Sequence, residues 1–368
     1  MSIMSVVFSN VHDQKLNELT LHRTMGSVPY GGRYRLIDFV LSNLVNAGVD
    51  KIGIITKHNY RSLIDHLGMG KHWDLNRQSG GLFVFPPFDS SGSQNLYRGK
   101  VEALYGVLDF FIKSNEEYVL LSDCNTVMSI DFLALRDYHI KNGADITIVS
   151  AHKKLDSQRL IINSDDNHLI NDVLISQTKA DKEENVSLNT FFIKRELLIE
   201  LIRDAYEHNE MDFAKDIIQK KSVALKMYSY LFDGYVAVID SISSYFLHSM
   251  ELLCSEVRSE LFNSNGKILT KVKSSVPTLY RDTAMVKNSL VADSCVISGT
   301  VENSILFRGV KVESGAVIKN SIVMQDSCIM KNAQLNYVIA DKGVNIKEYR
   351  MMAGYETYPV VIAKDSEV

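Results

Sequence analysis

A short-period repetition near the C-terminus constrains this 368-residue chain more than any other feature. Asn288-Ser289-Leu290-Val291 recurs as Asn303-Ser304-Ile305-Leu306, Asn320-Ser321-Ile322-Val323 and Asn336-Tyr337-Val338-Ile339, at separations of 15, 17 and 16 residues. Repetition at so short a period marks a β-solenoid, whose units cannot bury their apolar faces alone and must stack. Further apolar steps fall between the repeats, at Val296-Ile297, Val310 and Val312, Val317-Ile318 and Cys328-Ile329. That spacing suits three short parallel strands per triangular coil. An antiparallel sandwich would instead show hairpin signals and no aligned Asn-Ser steps. The reading is a left-handed parallel β-helix over residues 281–368.

The chain ahead of it follows another rule. Up to about residue 260, β-rich runs alternate with helical patterns. The expected strands are Val6–Phe8, Ile52–Thr56, Tyr118–Leu121, Ile146–Ser150, Leu188–Ile193 and Ala224–Tyr228. The expected helices are Leu36–Ala47, Val101–Lys113, Phe132–Ile140, Arg195–Tyr206 and Ile242–Arg258. Such punctuation implies an α/β domain with a Rossmann-like, mostly parallel, doubly wound sheet, binding ligands at the strands' carboxyl ends. The stretch "NSNGKILTKVKSSVPTLY" lacks helical period and contains Pro277, so it reads as a linker. The expected organisation is a domain at 1–260, a linker at 261–280 and the β-helix at 281–368.

Charge and composition then exclude partners. A net charge of -4 and a pI near 6.2 provide no basic field for nucleic acid, and no apolar run approaches the length of a membrane span. Cys124, Cys254, Cys295 and Cys328 lie far apart with no CxxC pair, which fits a reducing cytosol and argues against a zinc site. With no basic residue ahead of its first apolar run, the N-terminus does not read as a secretory signal, and a cytoplasmic protein is expected.

One segment is far more specific than these patterns. Val28-Pro29-Tyr30-Gly31-Gly32-Arg33-Tyr34-Arg35-Leu36-Ile37-Asp38-Phe39, followed by Leu41-Ser42-Asn43, closely resembles the signature of the bacterial ADP-glucose pyrophosphorylase (glucose-1-phosphate adenylyltransferase) family. Tyr97-Arg98-Gly99, the run Asp212 to Ile218 and the solenoid tail extend the resemblance over nearly the whole chain. It implies a nucleotidyltransferase domain followed by a left-handed β-helix, and a role in making ADP-glucose from ATP and glucose 1-phosphate for glycogen synthesis. Tyr97, Gly99, Lys215 and Asp216 would be remnants of the sugar-phosphate site.

The resemblance also shows what has been lost. The family's phosphate loop is glycine-rich and ends in arginine; here it is Ser9-Asn10-Val11-His12-Asp13-Gln14-Lys15-Leu16, with Asp13 bringing a negative charge and Lys15 at its end. Where the family carries a lysine after the next arginine, Arg23 is followed by Thr24 and Met25. The family holds Mg²⁺ with two aspartates. Counting back from Ile130-Asp131-Phe132 places Asn125 at the first, although a two-residue gap would give Asp123, and the second falls on Val238, with Asp240 as an alternative. These losses resemble the family's GlgD-type subunit. They imply a non-catalytic or nearly inactive regulatory partner of a catalytic subunit in a heterotetramer, with no catalytic residues and no metal, Mg²⁺ being held only if the degenerate site still binds it. Arg33 and Arg35 would bind phosphorylated effectors.

Plainer readings stand beside these. Asp123, behind an apolar strand, reads as a helix or turn cap. His12 and Asp13 read as solvated, His72 and Trp73 as packing and loop-ordering residues, and Asp181-Lys182-Glu183-Glu184 as a solvated loop. Three other functions remain open. One is an active pyrophosphorylase using Asp240 or Asp123, and another is a scaffold with no small-molecule site. The third, a hexapeptide-type acyltransferase, wants a catalytic histidine, and residues 249–368 contain none.

Overall fold

A computed structural model of the chain describes residues 2–10, 15–87, 97–155, 159–176 and 180–368. The strand Ile3–Phe8 is buried at all six positions, because Lys51–Ile55 and Tyr118–Asp123 flank it in parallel and cover both its edges. A strand enclosed in this way reads as a nearly continuous apolar run, not an alternating one, and its one polar residue, Ser5, donates its hydroxyl to the Leu120 carbonyl. Gly81–Phe85 adds a fourth parallel strand. Phe8, Ile55, Phe85 and Asp123 end in register, so the segments after them leave from one edge of the sheet.

Among the described residues the sheet has nine strands. On the far side of Tyr118–Asp123 lies the long strand Ala180–Lys194, antiparallel to it, which also pairs with Ile146–Leu155 and Arg159–Ser164. Ile170–Ser176 forms the far edge, and Met227–Leu231 runs parallel to Ile146–Leu155. The sequence reading missed Gly81–Phe85, Arg159–Ser164 and Ile170–Ser176. It also took Glu183 and Glu184 for loop, whereas they sit in the long strand opposite Lys154 and Lys153. The last strand begins at Met227, because Ala224 and Leu225 bond back to Lys221 in a turn. Two expected helices are each two. The first breaks between Lys100–Tyr105 and Leu108–Ile112 at Gly106-Val107, and the other between Ile242–Glu251 and Ser255–Asn263.

Three parallel sheets of five strands each form the C-terminal unit, the arrangement of a left-handed β-helix. Asn288, Asn303 and Asn320 all turn the corner with φ near +45°, a conformation asparagine tolerates better than most residues. The fourth corner corrects the sequence alignment: Tyr337 takes the left-handed conformation, and Asn336 pairs with Lys319 one step earlier. On the sheet that follows these corners Leu290 and Val291 are half-buried, and both members of the next three doublets are buried. Leu306, Val323 and Ala340 point into the coil, while Ile305, Ile322 and Ile339 join the core of the α/β domain. The repeated apolar doublets thus bury two faces, one inside the solenoid and one against the neighbouring domain.

No regular element occupies residues 264–278, but the chain there is held in place. Asn46 donates to the carbonyls of Asn265 and Lys267, and the Leu269 amide donates to Ser42 Oγ at 2.8 Å. No helix among the described residues is long and apolar enough to cross a membrane.

Candidate functional site

The ends of the parallel strands open into a cavity of about 370 Å³ whose wall includes Phe8, Asn10, Lys57, Arg98, Gly99, Lys100, Asp123 and Arg159. Gly99 is required there sterically: a Cβ at this position would lie 2.1 Å from the Met211 carbonyl oxygen, which also accepts from the Val101 amide. Of the expected sugar-phosphate remnants, Gly99 lines the cavity. Tyr97 sits beside it and accepts a hydrogen bond from Lys57 Nζ through its carbonyl. Lys215 and Asp216 belong to the neighbouring turn. The Lys215 side chain is exposed, and the Asp216 carboxylate accepts from the Asp212 amide and pairs with Lys220.

Asp123 is the last residue of its strand and almost fully buried, and its carboxylate accepts from Lys100 Nζ at 2.6 Å. That ion pair replaces the expected role as a cap. Asn125, two residues on, does a different job: its Nδ2 donates to the Ile239 carbonyl at 2.9 Å, and its own carbonyl accepts from the Ile239 amide. Asn125 therefore ties down the two-stranded ribbon of Thr126–Met128 and Val236–Val238, and Asp123 is the residue in the cavity wall. Val238 lies on that ribbon opposite Thr126 and is buried. The neighbouring Asp240, also buried, pairs with Arg159 Nη2 at 2.7 Å and takes a hydrogen bond from Ser244 Oγ.

This donor set does not fit a divalent cation. Mg²⁺ needs several oxygens in near-octahedral array, and both nearby carboxylates are engaged by cationic side chains while Val238 presents only alkyl groups. Among the described residues no three His, Cys, Asp or Glu side chains are grouped to hold a metal. Met25 starts a turn and is wholly buried in the core, so its side chain does not reach the cavity wall. Lys15 is exposed at the edge of the described chain. Val11, His12, Asp13 and Gln14 lie outside the described residues. Trp73 is fully buried, as its packing role requires.

Arg35 ends the short hairpin strand Tyr34–Arg35, whereas Arg33 sits in the turn ahead of it, and the two side chains do not share an environment. Gly31 and Gly32, both at positive φ, make the hairpin turn and bring it against the solenoid backbone near Leu306. Arg33 is exposed, with its guanidinium 5.7 Å from the Tyr34 ring. Arg35 turns inward, donates to the Ser62 carbonyl at 2.6 Å, and is lowered to about 10 by burial against the opposing pull of Asp38. Arg35 also faces a group that sequence reasoning missed. Burial, with Arg35 and Arg23 as like-charged neighbours, pushes the Lys342 ammonium down to about 7, Asp341 opposing the shift. Asp341 in turn holds Arg23 in a bidentate buried pair. Lys100 directly follows the Tyr97-Arg98-Gly99 motif and could have been found there. Arg159, Lys342 and the Arg23–Asp341 pair have no local signal.

Comparison with known proteins agrees with both halves of this architecture. A family model described as nucleotidyl transferase matches residues 12–253, and one described as the GlmU-like C-terminal hexapeptide matches residues 275–357. The chain is 36% identical to the glycogen biosynthesis protein GlgD of Bacillus subtilis (strain 168), over 98% of this chain and 96% of that one. It is 31% identical to the glucose-1-phosphate adenylyltransferase of Geobacillus stearothermophilus, over 86% of this chain and 83% of that one. With the enzyme of the same name from Acetivibrio thermocellus it shares 32% identity over 96% and 84% of the two chains.

Proposed function

The chain belongs to the nucleotidyl transferase family, in the group of the GlgD proteins and glucose-1-phosphate adenylyltransferases, and from that premise we propose that it is a non-catalytic regulatory subunit of such an adenylyltransferase. It would assemble with a catalytic subunit as a cytoplasmic heterotetramer. The observation that carries the reading is the state of the two strand-end carboxylates, each paired with a basic side chain where phosphoryl transfer would need a metal. Charge developing on the transferred group would meet no divalent cation, which forfeits several kcal/mol of transition-state stabilisation. The test is pyrophosphate release by the purified chain, by its catalytic partner and by the mixture. The reading requires no useful turnover from this chain alone and a changed rate or effector response in the mixture.

One observation favours a second reading, an active adenylyltransferase: Asp123 stands in the cavity wall at the carboxyl end of a parallel strand. Turnover on the order of 1 per second or faster by the chain alone, within the ordinary enzymatic range, would establish that reading and end the first.

The effector proposal centres on Arg35 and Lys342, with Arg33 at the exposed rim. Their supporting feature is a concentration of cations between the domains, where burial, with like-charge repulsion added, leaves Lys342 easily deprotonated. A phosphate ester would relieve that repulsion, guanidinium being suited to bidentate phosphate contact. An unchanged effector response in an assembled Arg33→Ala complex would remove Arg33 from the mechanism.

A further inference from the structure

The cavity at the strand ends presents four basic side chains, Lys57, Arg98, Lys100 and Arg159, against the carboxylates of Asp123 and Asp212. Lys100 and Arg159 both pair with buried carboxylates, but Arg159 is only 10% exposed whereas Lys100 keeps a face towards the cavity. It is bonded at 2.6 Å to Asp123, whose side chain is 1% exposed, while its own remains 28% exposed. Its Nζ also lies 5.0 Å from the centre of the Phe8 ring. An ammonium has three donors, and the bond to Asp123 uses one of them. The geometry is that of a cation resting on a buried carboxylate with a face open to the cavity.

We propose that Lys100 takes the place of a divalent cation at Asp123, so that the cavity binds the phosphate of a sugar monophosphate without Mg²⁺. This deepens the reading of the chain as a non-catalytic member of an adenylyltransferase family, and rests on it. A divalent cation held by the Asp123 carboxylate would supply two positive charges towards a phosphate; the Lys100 ammonium supplies N–H donors and one charge. One charge is enough to hold a phosphate monoester and too little to offset the charge that builds up in phosphoryl transfer. Ser187 and Asn189, in the same wall, carry polar groups suited to sugar hydroxyls. The volume, about 370 Å³, is that of a small-ligand site. Binding and catalysis are thereby separated at a single residue.

Calorimetric titration of the full chain with glucose 1-phosphate, in EDTA and again in excess MgCl₂, tests this. The dissociation constant should agree within about twofold between the two buffers and weaken at least about tenfold when Lys100 is removed, as expected of a charge-assisted contact. Lys100→Ala alone would strand a buried carboxylate, so Lys100→Ala with Asp123→Asn is titrated as well, both checked for folding by thermal denaturation. Lys100→Arg should retain binding. The proposal is overturned by binding that requires Mg²⁺, by affinity indifferent to the loss of Lys100, by inorganic phosphate binding as tightly as the sugar ester, or by no binding at all. None of these outcomes bears on whether the chain alters its partner's rate, so the regulatory reading stands or falls separately.

Discussion

Arg23 of the α/β domain and Asp341 of the β-helix, 318 positions apart, are joined by two N–H···O bonds of 2.8 and 2.9 Å, with their side chains only 3% and 1% exposed. Around this pair the two domains share one apolar core, which includes Ile305, Phe307, Ile322, Met324 and Ile339 of the solenoid. The docking is therefore part of the fold itself.

Removing one member of the pair leaves the other charged and buried. Asp341→Ala should lower the unfolding free energy by about 3–5 kcal/mol in urea titrations, whereas replacing both partners together, Arg23→Met with Asp341→Leu, should cost far less. Equal losses in the single and double variants would show that packing, not the ion pair, holds this point.

Lys342 makes stability depend on pH in a stated direction. Its pKa is about 7 when folded and near 10.5 when unfolded, so between those values the unfolded chain binds the extra proton and stability rises with pH. Below about 7 both states are protonated, and the cost of burying the ammonium, with the repulsion from Arg35 and Arg23, is felt in full. Lys342→Met should therefore raise Tm most near pH 6, with the gain shrinking towards pH 10. Inorganic phosphate should raise the wild-type Tm near pH 6 and do so less as pH rises, because an anion prefers the protonated ammonium. A Tm gain in Lys342→Met independent of pH would contradict this.

Restoring a carboxylate at the ribbon should not restore catalysis. Val238→Asp leaves Lys100 on Asp123 and Arg159 on Asp240, and groups that act as a unit respond little to a single repair. ADP-glucose synthesis by this variant should stay at the wild-type background in a pyrophosphate-release assay. A large gain would mean that one missing ligand was the whole defect.

Gly99→Ala forces a methyl to within 2.1 Å of the Met211 carbonyl oxygen. Backbone must move, because the obstacle is not the end of a flexible side chain. The variant should lose on the order of 1–3 kcal/mol of stability and bind glucose 1-phosphate more weakly than the wild type, read by denaturation and calorimetry. Unaltered values for both would show that the Met211 segment yields easily.

Much of this architecture is local, and so the amino-acid order alone carried it. A solenoid corner needs a residue that tolerates positive φ, followed by an apolar doublet, and that demand repeats every coil at Asn288, Asn303 and Asn320. A strand such as Ile3–Phe8, buried at every position, is apolar but for Ser5, whose hydroxyl is bonded to the Leu120 carbonyl. The segment from Val28 to Phe39 likewise identified the family from consecutive residues. What tertiary structure decided is which side chains meet. Asp123 and Asn125 are two positions apart, yet the strand ends between them, so one enters the cavity and the other is bonded to Ile239. Lys100 reaches Asp123 across 23 positions and Arg159 reaches Asp240 across 81, because the sheet brings their elements to one edge. The doublets Ile305-Leu306 and Ile322-Val323 announced burial, but only docking against the α/β domain determined that their two sides enter different cores. Periodicity belongs to neighbouring residues and is written in their order. The partner of a charge depends on how distant segments pack, which no local pattern specifies.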